Sequence, residues 1–255
     1  MAAALAAVLE LIFAPRCASC RGALIADDAE TLCPACRREL HIIAPPLCTC
    51  CGVPFPESAG GDHLCGECLL QAPPFAVARS FGRYEGTLLH AIHEFKYRGR
   101  VALGETLGAM MAAYPFPSFT AVGYEVVVPV PLHPSRLRQR MFNQSVILGR
   151  ALAKAYGLPL DVTALTRAVA TAPQVALGRG DRAANVAGVF RVARPKRIEG
   201  RGVIVVDDVF TTGSTVRECA RVLRHAGAVQ VAVLTLARAV AGQDSRDVRP
   251  VAPLS

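Results

Sequence analysis

Short apolar runs rich in β-branched residues alternate along most of the chain with stretches whose apolar residues recur at helical spacing. Val126 to Val130 and Val203 to Val206 are continuous runs of the first kind, the pattern of strands buried on both faces of a parallel sheet. Ala76 to Tyr84 and Val229 to Leu236 read as further strands. Glu85 to Tyr97, with Leu88, Leu89, Ile92 and Phe95 on or near one face, reads as a helix, as do Leu103 to Tyr114, Asn143 to Tyr156 stopped at Gly157, and Val216 to Ala226 closed by Gly227. Strand, loop and helix in repetition predict an α/β fold with a mostly parallel, doubly wound sheet and a site at the carboxyl edge of its strands.

The polar residues that interrupt this pattern carry the chemistry. The apolar run at residues 203–206 is expected to stop at Asp207 and Asp208, two acids that can accept hydrogen bonds from a vicinal diol or hold a hydrated magnesium ion. Thr211, Thr212, Gly213, Ser214 and Thr215 follow, offering hydroxyls, backbone N–H groups and a glycine that lets the chain approach a ligand closely. Since a helix comes next, an anionic phosphate is favoured at its N-terminus. A lone Gly-Ser-Thr would be an ordinary helix cap; the acid pair and the hydroxyl turn together read as a grip for a ribose phosphate. A second strand-loop-helix unit runs from Val126 through Pro131, Leu132, His133 and Pro134 to Arg136, Arg138 and Arg140, where Arg140 is a candidate phosphate contact and His133 has a capping role as its plainer reading.

Cysteine usage divides the chain. Of ten cysteines, nine lie between Cys17 and Cys68, and eight of these form the Cys-x-x-Cys pairs Cys17/Cys20, Cys33/Cys36, Cys48/Cys51 and Cys65/Cys68. Two such turns complete the tetrahedral sulfur shell zinc prefers, so four predict two structural zinc ions, closed and not catalytic. The intervals Cys20 to Cys33 and Cys51 to Cys65 hold twelve and thirteen residues, the proportions of short hairpin-based ribbons. Sequential pairing is the simplest assignment, and crossed pairing of the first and third turns stays open on spacing alone. Cys50 is spare, His41 and His63 are surplus to the ligand count, and Cys219 reads as a small buried hydrophobe. Pro73-Pro74 marks a hinge, giving expected units of 1–72 (an N-terminal helix and the zinc-binding module), 73–239 (the α/β domain) and a disordered tail at 240–255.

Charge follows the same division. Residues 1–72 contain 4 Lys+Arg and 8 Asp+Glu, whereas residues 73–255 contain 24 and 12. The basic surplus of the α/β unit suits an anionic ligand, and nucleic acid could use more of it. Trp is absent and aromatics are only 6%, so any nucleic-acid binding is expected through backbone phosphates with strong salt dependence, not through base stacking. No apolar run is long enough to span a bilayer, and Met1 to Phe13 lacks a basic start, so a packing helix and a cytoplasmic location are expected.

The stretch from Val203 to Thr215 resembles the signature of type I phosphoribosyltransferases for 5-phosphoribosyl-1-pyrophosphate (PRPP), and within that superfamily the chain resembles the ComF family associated with DNA uptake. Val128 to Pro134 and Arg140-Met141-Phe142-Asn143-Gln144 are similar to ComF motifs, with Met141 where glycine is usual. The resemblance supports a double zinc ribbon with sequential pairing. It implies that Asp207 and Asp208 hold the ribose hydroxyls, directly or through magnesium, that residues 211–215 hold the 5-phosphate, and that Pro131, Leu132 and His133 flank the pyrophosphate. Thr171 to Phe190, with Gln174, Arg182 and Asn185, resembles the flexible loop of the family. It further implies a glycosyltransferase reaction and, as partners, single-stranded DNA and a competence helicase or recombination mediator. Thr211 stands where several purine-salvage relatives carry an acid, which argues against purine salvage. Two readings of different class follow: an active transferase with an unidentified nucleophile, and a non-catalytic PRPP-sensing or DNA-binding module that kept the grip.

Overall fold

The computed structural model describes residues 16–24, 31–167 and 188–240. The expected helix at 1–13, most of the expected flexible loop and all but the first residue of the expected tail lie outside these.

Four parallel strands form the central sheet: β1 (Val77–Arg83), β2 (Val126–Pro129), β5 (Gly202–Phe210) and β6 (Gln230–Arg238), in the spatial order β1-β6-β5-β2. A second, antiparallel pair, β3 (Leu165–Arg167) and β4 (Phe190–Val192), brackets residues 168–189; the sequence pattern had suggested only an irregular segment there. Three-residue strands are too short to leave a periodicity.

The alternating side chains of the central strands feed two cores. Val127, Ile204, Val206, Ala232 and Leu234 share one cluster with helices α3 (Gly86–Arg98), α4 (Val101–Ala113) and α6 (Gln144–Tyr156) through Phe95, Leu107, Leu148 and Leu152. Val128, Val203, Val205, Val231 and Val233 share the other with α7 (Ser214–His225) through Val216, Cys219, Ala220 and Leu223. Both faces are covered, as unbroken valine-isoleucine strands require. Truncation at positions such as Ile204 and Leu148, both 0% exposed, carries the core penalty of about 2–5 kcal/mol. Gly104 lets α4 sit directly on Phe95, because a Cβ there would lie 2.2 Å from the ring.

This layering fixes the site. The chain leaves β2 for α6 on one face and leaves the adjacent β5 for α7 on the other. Where neighbouring strands send their connections to opposite faces, a crevice opens at their carboxyl ends.

The cysteine-rich module is built from two similar halves rather than long hairpins. Each has a Cys-x-x-Cys turn closed by an isolated antiparallel bridge, Arg16 to Ala23 and Leu47 to Pro54, followed by one five-residue helix. These helices, α1 (Pro34–Arg38) and α2 (Gly66–Leu70), start after Cys33 and Cys65 as caps and carry Cys36 and Cys68. The first half joins the α3/α4/α6 core through Leu24, Leu32 and Leu40, and the second joins the α7 core through Cys48, Cys51 and Cys68.

Candidate active site and four-cysteine centres

Strand β5 does not end at Asp207, as the break in its apolar run suggested. It pairs with β6 as far as Phe210 opposite Arg238. The ladder with β2 stops four residues earlier, at Pro129 opposite Val206. Asp207 and Asp208 therefore stand on a strand held firmly on one side and open on the other.

Each acid has its own partner. Asp207 Oδ1 accepts from the Ser145 hydroxyl at 3.0 Å and from the Asp208 backbone N–H at 2.9 Å. Burial, then the neighbouring Asp208 charge, pushes the Asp207 carboxyl up to about 7. Asp208 Oδ2 faces the Lys96 ammonium at 2.9 Å, both side chains being 14% exposed. Burial works against the Lys96 charge, but the Asp208 carboxylate outweighs it and raises its pKa. Lys96 comes from the last turn of α3 and Ser145 from the first turn of α6.

Beyond the acids, Thr211, Thr212 and Gly213 form the turn into α7, which begins at Ser214, two residues before the apolar pattern indicated. Gly213 is the N-cap with φ +77°, a left-handed geometry glycine adopts at little cost. It also needs the space, since a Cβ would fall 2.5 Å from Phe210 Cζ. The Thr212 and Ser214 hydroxyls lie 2.8 Å apart. The Ser214 N–H donates to the Thr212 hydroxyl at 3.4 Å, so the start of α7 and this hydroxyl pair form one polar setting that favours an anion.

On the neighbouring strand, the arginines expected to lead straight into α6 form a separate short helix, α5 (Pro134–Arg140). His133 is its N-cap: Nδ1 accepts from the Ser135 N–H at 3.3 Å, the plainer of the two roles foreseen for it. Met141 ends α5 at φ +65° and is 84% exposed, so the missing glycine is replaced by a side chain pointing into open solvent. Asn143 caps α6 by accepting from the Ser145 N–H and donates to the Val130 carbonyl, both at 3.0 Å, which ties the loop to the helix. Gln144 is 1% exposed.

Arg140 lies over the Tyr97 ring, 5.0 Å from its centroid, and the two line a cleft of about 180 Å³ with Lys96, Gly99 and Gln139. Asp208 and Asp207 thus meet Lys96 and Ser145, residues that sequence reading had not placed in the site. Gln174, Arg182 and Asn185 lie outside the described residues.

The eight paired cysteines gather in two sets, Cys17/Cys20/Cys33/Cys36 and Cys48/Cys51/Cys65/Cys68, whose sulfurs lie within 4.8 Å of one another in each set. The grouping is sequential. Four sulfurs with no fifth donor among the described residues suit tetrahedral zinc in a closed structural role. In both sets the leading cysteine is prepared as a thiolate. Burial pushes Cys17 up, but backbone N–H groups of Cys33, Cys20 and Ser19 outweigh it and bring the thiol to about 6. Cys48 likewise falls to about 6 through the N–H groups of Cys65, Cys51 and Cys50. His63 stacks on Phe55, His41 pairs with Glu85, and Cys50 points at the Phe75 carbonyl, so none joins a set.

Two arginines of the α/β unit reach the second set. Arg79, 2% exposed, donates to the carbonyls of Thr49, Ala78 and Pro117. Arg238, 7% exposed, donates to the Cys51 carbonyl at 2.8 Å and approaches its sulfur at 3.6 Å.

A parallel sheet with an acid pair and a hydroxyl loop at its switch point, preceded by two four-cysteine centres, defines a phosphoribosyltransferase-like protein with an N-terminal double zinc ribbon. Family models agree: residues 8–69 match a double zinc ribbon domain and residues 143–251 a phosphoribosyl transferase domain. The chain is 35% identical to the DNA utilization protein YhgH of Escherichia coli K12 over 75% of its own length and 84% of that protein's. It is 32% identical to competence protein F of Haemophilus influenzae, over 88% and 97% respectively. Competence protein ComFC of Bacillus subtilis is 26% identical over 86% and 88%. The chain belongs to the ComF family. Among the described residues no helix is long and apolar enough to cross a membrane.

Proposed function

We propose that the protein binds PRPP with magnesium and transfers its phosphoribosyl group to a nucleophile, in the service of DNA uptake. The observation that carries this is the acid pair at the open end of β5, immediately before a hydroxyl-bearing loop that leads into a helix N-terminus. In this reading Asp207 and Asp208 hold the ribose 2- and 3-hydroxyls, directly or through magnesium, and residues 211–215 take the 5-phosphate. Arg140 and the loop at Pro131, Leu132 and His133 face the pyrophosphate. Magnesium, when bound, supplies charge for the leaving group. The C1–oxygen bond to pyrophosphate breaks with its electron pair, positive charge develops on the sugar, and the nearby carboxylates stabilise it while the nucleophile forms the new bond to C1. Thr211, where a base-assisting acid would stand for purine salvage, is a poor proton acceptor at neutral pH. The acceptor is accordingly placed outside purine salvage.

The names of the relatives support the DNA connection, and the cytoplasm is the compartment in which PRPP and internalised single strands would meet. A helicase or recombination mediator is the partner expected on that side.

The test is calorimetric titration of PRPP into the zinc-loaded protein, with and without magnesium. Magnesium-dependent binding by the wild type, lost by more than about 100-fold in Asp207→Asn/Asp208→Asn, supports the site, each lost charge-assisted contact being worth about 1.5–3 kcal/mol. Equal affinity of the two proteins refutes it. Because the ionised Asp207 is the binding form and its pKa stands near 7, affinity should fall as pH drops below 7, approaching tenfold per unit, and level off above it. A flat profile between pH 5 and 8 removes Asp207 from the binding set. Binding of PRPP without turnover towards any offered nucleophile would favour the sensing module over the transferase.

A further inference from the structure

The second four-cysteine centre and the phosphate loop are joined by one continuous stack. Arg238 closes β6 and is buried between that centre and Phe210, which abuts the loop. One guanidinium nitrogen donates to the Cys51 carbonyl at 2.8 Å, and the other lies 3.6 Å from the Cys51 sulfur. The same guanidinium carbon lies 4.1 Å from the centroid of the Phe210 ring, well inside cation–π range. Phe210 is 3% exposed and braced edge-on by Phe75. Its Cζ abuts Gly213 so closely that a single added carbon would collide. Strand pairing places Arg238 opposite Phe210, and the Ala239 N–H bonds to the Phe210 carbonyl at 2.9 Å, so neither ring nor guanidinium can drift without the other.

Charge gives the contact its purpose. A zinc ion in four thiolates leaves two net negative charges, and Arg238 is a buried cation at one of those sulfurs. Groups that bond to a metal's ligands tune its retention, commonly by 10- to 100-fold. If the metal were lost, the Cys51 turn that anchors the guanidinium over Phe210 would be released, and Phe210 is the floor under Gly213.

We propose that Arg238 is a positioning residue that couples metal loading of the second centre to sugar-phosphate affinity of the 211–215 loop. By thermodynamic reciprocity a sugar phosphate on the loop must then tighten metal binding by the factor through which the metal tightens sugar-phosphate binding, and slower metal release is the expected expression of that tightening. The ligand half rests on the sugar-phosphate reading above; the metal half does not.

The experiment uses the full chain carrying Cys20→Ser, so that only the second centre retains zinc, with release followed by a chromophoric chelator and ribose 5-phosphate as the probe, which needs no magnesium. Ribose 5-phosphate should slow release. Adding Arg238→Gln should speed basal release on the order of 10-fold and abolish the slowing. Phe210→Leu, which leaves Cys51 untouched, should keep the basal rate, weaken ribose 5-phosphate binding and also abolish the slowing. Arg238→Lys, able to donate to Cys51 but lacking a flat face for the ring, should restore retention without restoring the slowing. A wild-type release rate in Arg238→Gln, or full slowing in Phe210→Leu, overturns the inference. Failure of the parent chain to bind ribose 5-phosphate would instead strike at the sugar-phosphate reading and overturn the coupling, while the basal rate of Arg238→Gln would still decide whether Arg238 holds the metal centre.

Discussion

The two Cys-x-x-Cys turns that open the four-cysteine sets finish on the same backbone conformation with opposite tolerances. After Cys20 the chain passes through Arg21 at φ +63°; after Cys51 it passes through Gly52 at φ +69°. Arg21 carries its side chain outward to Glu94 on α3, an ion pair of 2.8 Å with the arginine half exposed. At Gly52 a Cβ would lie 2.4 Å from the Ala78 carbonyl of β1. The first half sends Leu24, Leu32 and Leu40 into the α3/α4/α6 core, but its opening turn stays at the surface and its Cys20 is exposed. The other is wedged against the sheet, its backbone bonded to β1 through the Ala78 N–H to Cys50 carbonyl contact at 2.7 Å, with Arg79 and Arg238 reaching in from behind. Identical ligand chemistry therefore sits in two kinds of turn: one open enough to carry a side chain in the first half, and one locked against the sheet of the α/β domain in the second.

The comparison breaks or sharpens at three points. The largest effect belongs to the metals. Cys51→Ser and Cys20→Ser should each lose one zinc by metal analysis, but urea unfolding of the α/β unit should lose more than about 4 kcal/mol in the first and about 1 kcal/mol or less in the second, since metal binding free energy is folding free energy only where the fold depends on it. Equal losses would mean the halves are equally joined. Next comes Gly52→Ala, which meets both a left-handed backbone and a carbonyl; a cost near 3 kcal/mol, read from the same unfolding curves, is expected. Smallest is Arg21→Gly, where relief of the backbone conformation offsets loss of a half-exposed ion pair, so the unfolding midpoint should shift by no more than about 0.5 kcal/mol in either direction. A large shift there would show the first half to be as tightly fitted as the second.

Much of this was legible along the chain. Strands buried on both faces leave unbroken apolar runs, so β2 and β5 announced a parallel sheet, and evenly spaced cysteine pairs announced two metal sets. The acid pair and hydroxyl loop were legible because they are contiguous. What stayed hidden was carried by distance. Lys96 and Asp208 are 112 positions apart (208 − 96), and Arg238 reaches Cys51 across 187, so neither pairing leaves a local pattern. The true end of β5 was missed for a different reason: its last residues keep pairing with β6 after β2 has stopped, and polar side chains are tolerated where one flank is open. The short helix α5 was hidden because it has no buried residues and so no apolar periodicity.

The Lys96 contact gives the crevice a resident counter-ion. With the ammonium in place the Asp208 carboxylate is already balanced, so the domain folds around its acids without waiting for a divalent ion. The arriving ligand then competes instead of filling a void: to take Asp208 it must release Lys96 from the end of α3, and the freed cation lies in the same cleft as Arg140. Phosphate oxygens are one group that can take over the ammonium once it leaves the carboxylate. The Lys96–Asp208 pair thus ties access to the acid to what is offered to the lysine.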